Sequence, residues 1–154
     1  MKPLLQGQGL PPFPEITPEQ VVPAMTELLT EANAALTQLE ANIIPTWSGL
    51  VEPLDRLTER IGWSWSIVGH LMGVKNSPEL RAAYEEMQPQ LVQFWTQLGQ
   101  SAALYQGYKA IAASPEFANF VGGAQFGTIF DTHQVPDDTP TPADTFGQSI
   151  EWFD

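Results

Sequence analysis

Three short helix-start signals divide this chain and constrain its fold more than any other feature. Each joins a hydroxyl residue, a proline and a glutamate: Thr17-Pro18-Glu19, Ser77-Pro78-Glu79 and Ser114-Pro115-Glu116. The hydroxyl can cap a helix, proline fits the first helical position, and glutamate places a negative charge at the positive end of the helix dipole. The sequence therefore predicts helices that begin at residues 18 and 78, and a short helical segment after residue 115 that ends near residue 120.

Apolar residues recur every three or four positions along three stretches, at residues 21–39, 50–71 and 80–105. This spacing is typical of amphipathic helices with one buried face. We therefore predict an all-α fold with three main amphipathic helices, a short fourth helix and an irregular C-terminal tail. Short links between the stripes favour antiparallel neighbours. Because three helices leave faces uncovered, we also expect exposed apolar surface, marginal stability or self-association.

Prolines place the helix boundaries. Pro45 predicts that the first helix ends near residues 41–43, and Pro53 predicts a loose turn ahead of the regular second helix. Pro89 lies inside the third stripe and predicts a bend there. The first 16 residues are rich in proline and glycine and read as an extended lead-in, which Phe13 and Ile16 could pin to the body.

The composition changes at residue 120. Residues 1–120 contain fifteen leucines, whereas residues 121–154 contain none and are rich in Gly, Pro and Asp. We predict a helical domain over residues 1–120 and an irregular, acidic tail, potentially disordered, over residues 121–154.

The charge balance excludes several classes of partner. The chain has 18 acidic and 6 basic residues, a net charge of −12, and no cysteine. It has no cationic patch for nucleic acid or for an anionic membrane surface, and it has no thiolate site or disulfide. No apolar run is long enough to cross a bilayer, and the first residues do not resemble a secretory signal. The sequence therefore predicts a cytoplasmic protein.

The two histidines are the first candidates for chemistry. A zinc peptidase helix needs His-Glu-x-x-His, in which two imidazoles one turn apart hold the metal and the glutamate activates its water. His70 is followed by Leu71, and position 74 is a valine. His133 has no partner at ligand spacing. We interpret both as structural or surface residues.

Acid pairs and glycine pairs give no stronger signal. Glu85 and Glu86 are adjacent on a helix and point in different directions, so they cannot share a proton. Asp137-Asp138 lies in a proline-rich stretch, and Gly122-Gly123 lacks the rest of a phosphate loop. The sequence predicts no catalytic, cofactor-binding or metal-binding residue in this chain.

Tryptophans are the remaining candidates for binding. Trp63 and Trp65 are two residues apart on a helix and cannot share one face, so one is expected in the core and the other outward or at a second interface. For Trp95 and its neighbour Phe94, the spacing likewise leaves open which side chain is in the core and which faces outward. Residues 150–154 could form an acidic and aromatic docking segment, although an unselected tail is an equal alternative.

The order of several segments resembles the N-terminal part of the zinc metallopeptidase family that includes oligopeptidase A, thimet oligopeptidase and neurolysin. The resemblance runs collinearly over residues 2–120. It is carried by Lys2-Pro3-Leu4-Leu5, Leu10-Pro11-Pro12-Phe13, residues 16–24, Thr46-Trp47, Glu52-Pro53-Leu54, His70-Leu71, residues 74–81, Ala83-Tyr84-Glu85 and residues 104–109. The most specific of these segments is the one around Asn76-Ser77-Pro78-Glu79-Leu80.

The resemblance implies a helical, clam-like enzyme that cleaves short peptides in a narrow channel with zinc held by an HExxH helix and a later glutamate. The front segment would form part of the channel wall. Since HExxH has no counterpart in this sequence, we expect a truncated N-terminal domain without peptidase activity or a cofactor of its own. A helical module that binds peptides or a full-length peptidase is the alternative, and a standalone zinc peptidase is a third hypothesis.

Overall fold

Four α-helices account for most of the chain that the structure describes. The computed structural model describes residues 3–119, and within this range it contains no strand. The helices are α1 (Pro18–Ala41), α2 (Glu52–Val74), α3 (Pro78–Gly99) and α4 (Ala102–Ala112). Short 3-10 helices occur at Pro3–Leu5, Phe13–Glu15 and Pro115–Asn119, and a π-helical turn at Trp47–Val51 precedes α2. The predicted all-α fold is confirmed.

α1 and α3 begin at the predicted residues, Pro18 and Pro78. The backbone N–H of Thr17 donates to the Gln20 side chain at 3.2 Å, which is half of a capping box at the start of α1. The Ser77 hydroxyl accepts the backbone N–H of Leu80 at 3.1 Å at the start of α3. α1 ends at Ala41, inside the range that Pro45 predicted.

The predicted loose turn before α2 is also confirmed. The Thr46 hydroxyl accepts the backbone N–H of Gly49 at 3.0 Å, and the π-helical turn continues into α2 at Glu52. A Cβ atom at Gly49 would lie 2.7 Å from the carbonyl oxygen of Ile44. Because backbone cannot move aside as a flexible side chain can, this turn requires glycine.

The prediction of one continuous third helix as far as Tyr105 is wrong. α3 ends at Gly99, and Ser101 caps a separate helix by accepting the backbone N–H of Leu104 at 3.2 Å. The apolar spacing continues unchanged through this break, so periodicity alone could not locate it. The predicted helix after Ser114 is only the single 3-10 segment Pro115–Asn119, and the fourth α-helix lies upstream of it.

α1 is the central helix of the bundle. It packs against both α2 and α3, which contact each other much less. The Thr26 hydroxyl of α1 lies 3.8 Å from the Met87 sulfur of α3. Further along α1, the Glu40 carboxylate accepts a hydrogen bond from the Ser101 hydroxyl, just after α3 ends. Later residues of α1 thus contact later residues of the α3 region. The fully buried members of the core come from all parts of the described chain: Leu4, Val21, Met25, Leu50, Ile61, Val68, Met87, Phe94 and Ile111.

The N-terminal arm, residues 3–16, is bound along α2. The Ser64 hydroxyl is fully buried and donates to the carbonyl of Leu4 at 2.6 Å. The Trp63 indole N–H donates to the carbonyl of Gly9 at 3.3 Å. Gly9 has φ 79°, a backbone angle that residues with a side chain rarely adopt. At the end of the arm Ile16 is buried, which confirms that it pins the lead-in to the body.

Candidate interaction surface

His70 is an exposed residue in the last turns of α2. Its ring lies 5.1 Å from that of Phe13, centroid to centroid, so the histidine packs against the N-terminal arm. This contact agrees with the structural interpretation of His70 and also shows how Phe13 holds the arm. His133 lies outside the described residues.

The acidic pair Glu85-Glu86 is exposed on α3, where its members are neighbours in sequence. The other candidates, Asp137-Asp138, Gly122-Gly123 and residues 150–154, lie outside the described residues, as do the predicted tail and the predicted domain boundary at residue 120. The bend predicted at Pro89 stays a prediction, although the residue does lie inside α3.

The family resemblance raises the question of zinc. Zinc sites in hydrolases need three or more protein ligands drawn from His, Cys, Asp and Glu. Within residues 3–119 no three such side chains come together in a way that could hold a metal ion. The described residues therefore do not fit a zinc centre, and no catalytic step is assigned to them.

No helix in the described part of the chain is both long and apolar enough to cross a membrane.

Trp63 and Trp65 both pack within the domain, on different elements. Trp63 lies against the N-terminal arm through its bond to Gly9, and Trp65 stacks on Tyr84 of α3 with ring centroids 4.5 Å apart and an interplanar angle of 18°. The two side chains do occupy different faces, as their spacing predicted. Each has an intramolecular partner, and both side chains remain partly exposed.

The outer side of α3 carries two of the exposed apolar residues that the sequence led us to expect, and Leu10, Ile44 and Val74 are others elsewhere. Val92 is 57% exposed and Trp95 is 38% exposed, whereas their neighbour Phe94 is only 2% exposed. The rings of Phe94 and Trp95 meet edge to face at 5.4 Å. The ambiguity at this pair is thus resolved: Phe94 is the core residue, and Trp95 lies at the surface.

A polar groove runs between α1 and α3. It has a volume of about 290 Å³, with Leu29 and Phe94 among the residues that line it. Its remaining lining residues are uncharged hydroxyl and amide side chains: Thr26, Thr30, Asn33, Gln90, Gln93 and Gln97. The sequence patterns did not predict this groove. The signal that could have found it is the absence of Asp, Glu, Lys and Arg from residues 88–108.

This absence of charge divides α3 into two halves. Its first half carries Glu79, Arg81, Glu85 and Glu86, whereas residues 88–99 carry no charge at all. We call the exposed surface of residues 88–99 the uncharged surface of α3. The second half of α2, residues 61–74, likewise carries no Asp, Glu, Lys or Arg, so an uncharged helical segment is not unique to α3 in this chain.

The shifted carboxyl groups lie elsewhere. A hydrogen bond to its own backbone N–H, with a second from the Ser77 hydroxyl, lowers the pKa of Glu79. The Thr17 hydroxyl and its own backbone N–H lower the pKa of Glu19 at the start of α1. Burial raises the pKa of Asp55 in the first turn of α2, and the nearby Glu59 and Glu52 carboxylates raise it further. These shifts belong to helix ends, and none occurs on the uncharged surface of α3.

Comparison with known proteins gives a consistent result. Residues 25–126 match the family model of the N-terminal domain of neurolysin and thimet oligopeptidase. A probable cytosolic oligopeptidase A of Arabidopsis thaliana is 44% identical over 115 residues, which make up 75% of this chain and 16% of the relative. The oligopeptidase A of Haemophilus influenzae is 41% identical over 118 residues, 77% of this chain and 17% of the relative. That of Escherichia coli is 41% identical over 117 residues, 75% of this chain and 17% of the relative.

The match covers two thirds of this chain, whereas the chain spans only about one sixth of the length of these relatives. The matched region includes α2, α3, α4 and most of α1, which together form the described helical core. The resemblance drawn from the residues around Ser77 is therefore confirmed. The chain belongs to the neurolysin and thimet oligopeptidase family, and it corresponds to the N-terminal domain of its oligopeptidase A-like members.

Proposed function

We propose that this chain works as the channel-wall domain of an oligopeptidase A-like peptidase, a scaffold that shapes access to an active site without supplying catalytic groups. The observation that carries the proposal is the match of residues 25–126 to the N-terminal domain of the family. The sequence contains no HExxH, which supports a role without catalysis. The zinc and the bond cleavage would belong to the catalytic part of such an enzyme.

The relatives also suggest where in the cell the protein acts. We propose a cytoplasmic protein, since a relative is described as a probable cytosolic oligopeptidase A.

A chimera tests the proposed function directly. Residues 1–120 of this chain would replace the matching segment of the Escherichia coli oligopeptidase A, and the purified chimera would be assayed with a quenched fluorescent peptide. We expect a folded chimera that cleaves the peptide. A chimera that folds with bound zinc but cleaves nothing would contradict the channel-wall role.

The chain alone provides the second half of the test. With added zinc, the 154-residue protein should cleave the same peptide no faster than buffer. Cleavage by the chain that His70→Ala abolishes and His133→Ala retains would instead support the third hypothesis, a standalone zinc peptidase.

A peptide-binding module is the second candidate, and the polar groove is the observation that favours it. The amide side chains of Gln90, Gln93 and Gln97 can pair with the main chain of an unstructured peptide. Titration of the chain with short unstructured peptides, followed by tryptophan fluorescence, would show saturable binding if this function is correct. A flat titration would exclude it.

A further inference from the structure

We propose that the polar groove between α1 and α3 binds the main chain of a short, extended peptide whose side chains are small and uncharged. The inference rests on the second candidate function, the peptide-binding module, and names the ligand and the groups that bind it. It is independent of the channel-wall role, because binding in the groove requires no catalytic groups.

The α1 wall of the groove presents hydrogen-bond acceptors. The Thr30 hydroxyl donates to the carbonyl of Thr26 at 2.7 Å, and the Asn33 amide nitrogen donates to the carbonyl of Leu29 at 2.8 Å. A hydroxyl oxygen and an amide oxygen keep acceptor lone pairs when the donors beside them are used. The Oγ1 atom of Thr30 and the Oδ1 atom of Asn33 can therefore accept N–H groups from a ligand.

The α3 wall presents amides that can both donate and accept. Within residues 3–119, the side chains of Gln93 and Gln97 make no hydrogen bond. Gln90 differs, because its Nε2 atom donates to the carbonyl of Glu86 at 3.3 Å and lies 3.6 Å from the Met87 sulfur. Gln93 and Gln97 can thus bond to a ligand without breaking a contact inside the described chain.

The main chain of an extended peptide matches these two walls. Each side-chain amide of α3 can pair with the N–H and the C=O of one peptide residue, since a glutamine amide has both kinds of group. Gln93 and Gln97 are four residues apart, about 6 Å along the helix axis. Peptide residues that face the same side repeat every two positions, about 6.6 Å apart. The two glutamines can therefore pair with alternate residues, while N–H groups on the other side donate to Thr30 and Asn33.

The size of the groove favours a short segment with small side chains. Its volume of about 290 Å³ lies just below the range of about 300–1,000 Å³ that is usual for ligand pockets. Leu29 and Phe94, which supply its apolar lining, are only 5% and 2% exposed. Packed core side chains therefore close the groove from below, and a folded partner is too large to enter it.

Charge favours an uncharged ligand. None of the lining residues is charged, so a peptide carboxylate in the groove would lose water without gaining a charged partner. The net charge of −12 repels acidic peptides as well. We therefore expect an acidic peptide to bind more weakly than a neutral peptide of the same length.

Calorimetric titration of the 154-residue chain tests the ligand. The probe is a short peptide of alternating alanine and serine, acetylated at one end and amidated at the other. The same peptide with every main-chain nitrogen methylated is the comparison, because it keeps the side chains and loses the N–H donors. We expect saturable binding of the first peptide and a loss of affinity of about tenfold or more for the second.

Substitutions in the groove test the site. Gln93→Leu combined with Gln97→Leu should lower the affinity for the alanine-serine peptide about tenfold or more, because the α3 wall loses its free amides. Thr30→Val should cause a smaller loss. Gln88→Leu, at an exposed glutamine of α3 that does not line the groove, is the matched control and should bind like the unsubstituted chain. Leucine and glutamine have similar helix propensities, and thermal unfolding checks that each variant is folded.

The outcomes separate this inference from the functions on which it bears. If the unsubstituted chain binds no peptide, both the inference and the peptide-binding function are overturned. If the methylated peptide binds equally well, or if the double variant binds like Gln88→Leu, the chain binds peptides elsewhere and the inference alone is overturned. The channel-wall role is decided by the chimera assay, which does not depend on these titrations.

Discussion

The two ends of this bundle are stabilised in different ways. At the capped end, where α1 and α3 begin, hydroxyl and amide side chains bond to backbone groups three residues away, as Ser77 does with Leu80. At the junction end, where α2 begins and α3 gives way to α4, the contacts join distant parts of the chain. Ser101 bonds to Glu40 across 61 positions, and Gly107 fits against Leu50.

The two halves of α3 also differ in charge. Glu79 and Arg81 lie at the capped end, whereas the second half of α3 leads to the junction end without a charge. Water solvates the charged side chains at a helix end well, whereas an uncharged surface with an exposed tryptophan is more stable when another surface packs on it. Charge therefore distinguishes the two halves of α3, whereas both ends of the bundle carry charged residues, among them Glu40 and Glu52 at the junction end.

The largest expected effect separates the inward and outward sides of the uncharged half of α3. Phe94→Ala should lower the free energy of unfolding by about 3–5 kcal/mol, because it empties a fully packed site. Trp95→Ala should cost much less in the isolated chain, since its ring is partly exposed. Urea unfolding of both variants measures the difference. Equal losses would mean that Trp95 belongs to the core.

A second prediction concerns the glycines of the junction end. Gly49→Ala should destabilise the chain by about 1–3 kcal/mol, because the new methyl group would clash with the carbonyl of Ile44. Gly73→Ala is the matched control, since a Cβ atom there meets nothing within 4 Å. Thermal unfolding compares the two. If Gly49→Ala leaves the Tm unchanged, the backbone of the junction end can shift to make room for the new methyl group.

The caps provide a smaller contrast between the two ends. Ser77→Ala should lower the free energy of unfolding by about 1 kcal/mol, the typical effect of losing an N-cap. Ser101→Ala should cost more, because the change removes a cap and also the hydrogen bond to Glu40. Urea unfolding with Glu40→Gln as a third variant separates the two contributions. If Ser77→Ala and Ser101→Ala lower the free energy of unfolding equally, the hydrogen bond between Ser101 and Glu40 contributes nothing to stability.

The smallest effect is a difference in pH dependence. Glu79 has a lowered pKa in the folded chain, so its contribution to stability is present above its ordinary pKa of 4.5 and is lost as the pH falls through the folded value. Asp55 has a pKa raised above 3.8, so its ionised carboxylate destabilises the folded chain, and this destabilisation is lost as the pH falls. Between about pH 6 and about pH 3, the free energy of unfolding measured with urea should therefore fall less steeply for Glu79→Gln than for the unsubstituted chain. For Asp55→Asn it should fall more steeply. Slopes that match the unsubstituted chain would contradict both assignments.

The sequence predicted the elements that depend on neighbours along the chain. The starts of α1 and α3, the end of α1 and the turn before α2 follow from hydroxyl, proline and glycine positions within a few residues, because capping is a local interaction. The same local signals failed at residues 99–101. There the apolar stripe continues, and Ser101 is anchored by Glu40, a residue far away in sequence.

The candidate surface was less accessible to sequence reasoning. The sequence singled out Trp63, Trp65 and Trp95 as binding candidates, which stays a prediction. Spacing could not say that Trp63 contacts the N-terminal arm, that Trp65 stacks on Tyr84, or that Trp95 is the most exposed of the three. Such assignments depend on which elements become neighbours in space, and helix periodicity gives only the direction of a side chain on its own helix.

By itself, the sequence determined the all-α class, most helix boundaries and the family, because caps, apolar periodicity and an ordered set of short segments are all written along the chain. Only the tertiary structure decided that α3 and α4 are separate helices, that the N-terminal arm follows α2, and that the uncharged half of α3 borders a polar groove. The physical reason is that these features arise from contacts between residues up to some sixty positions apart, which no local pattern specifies.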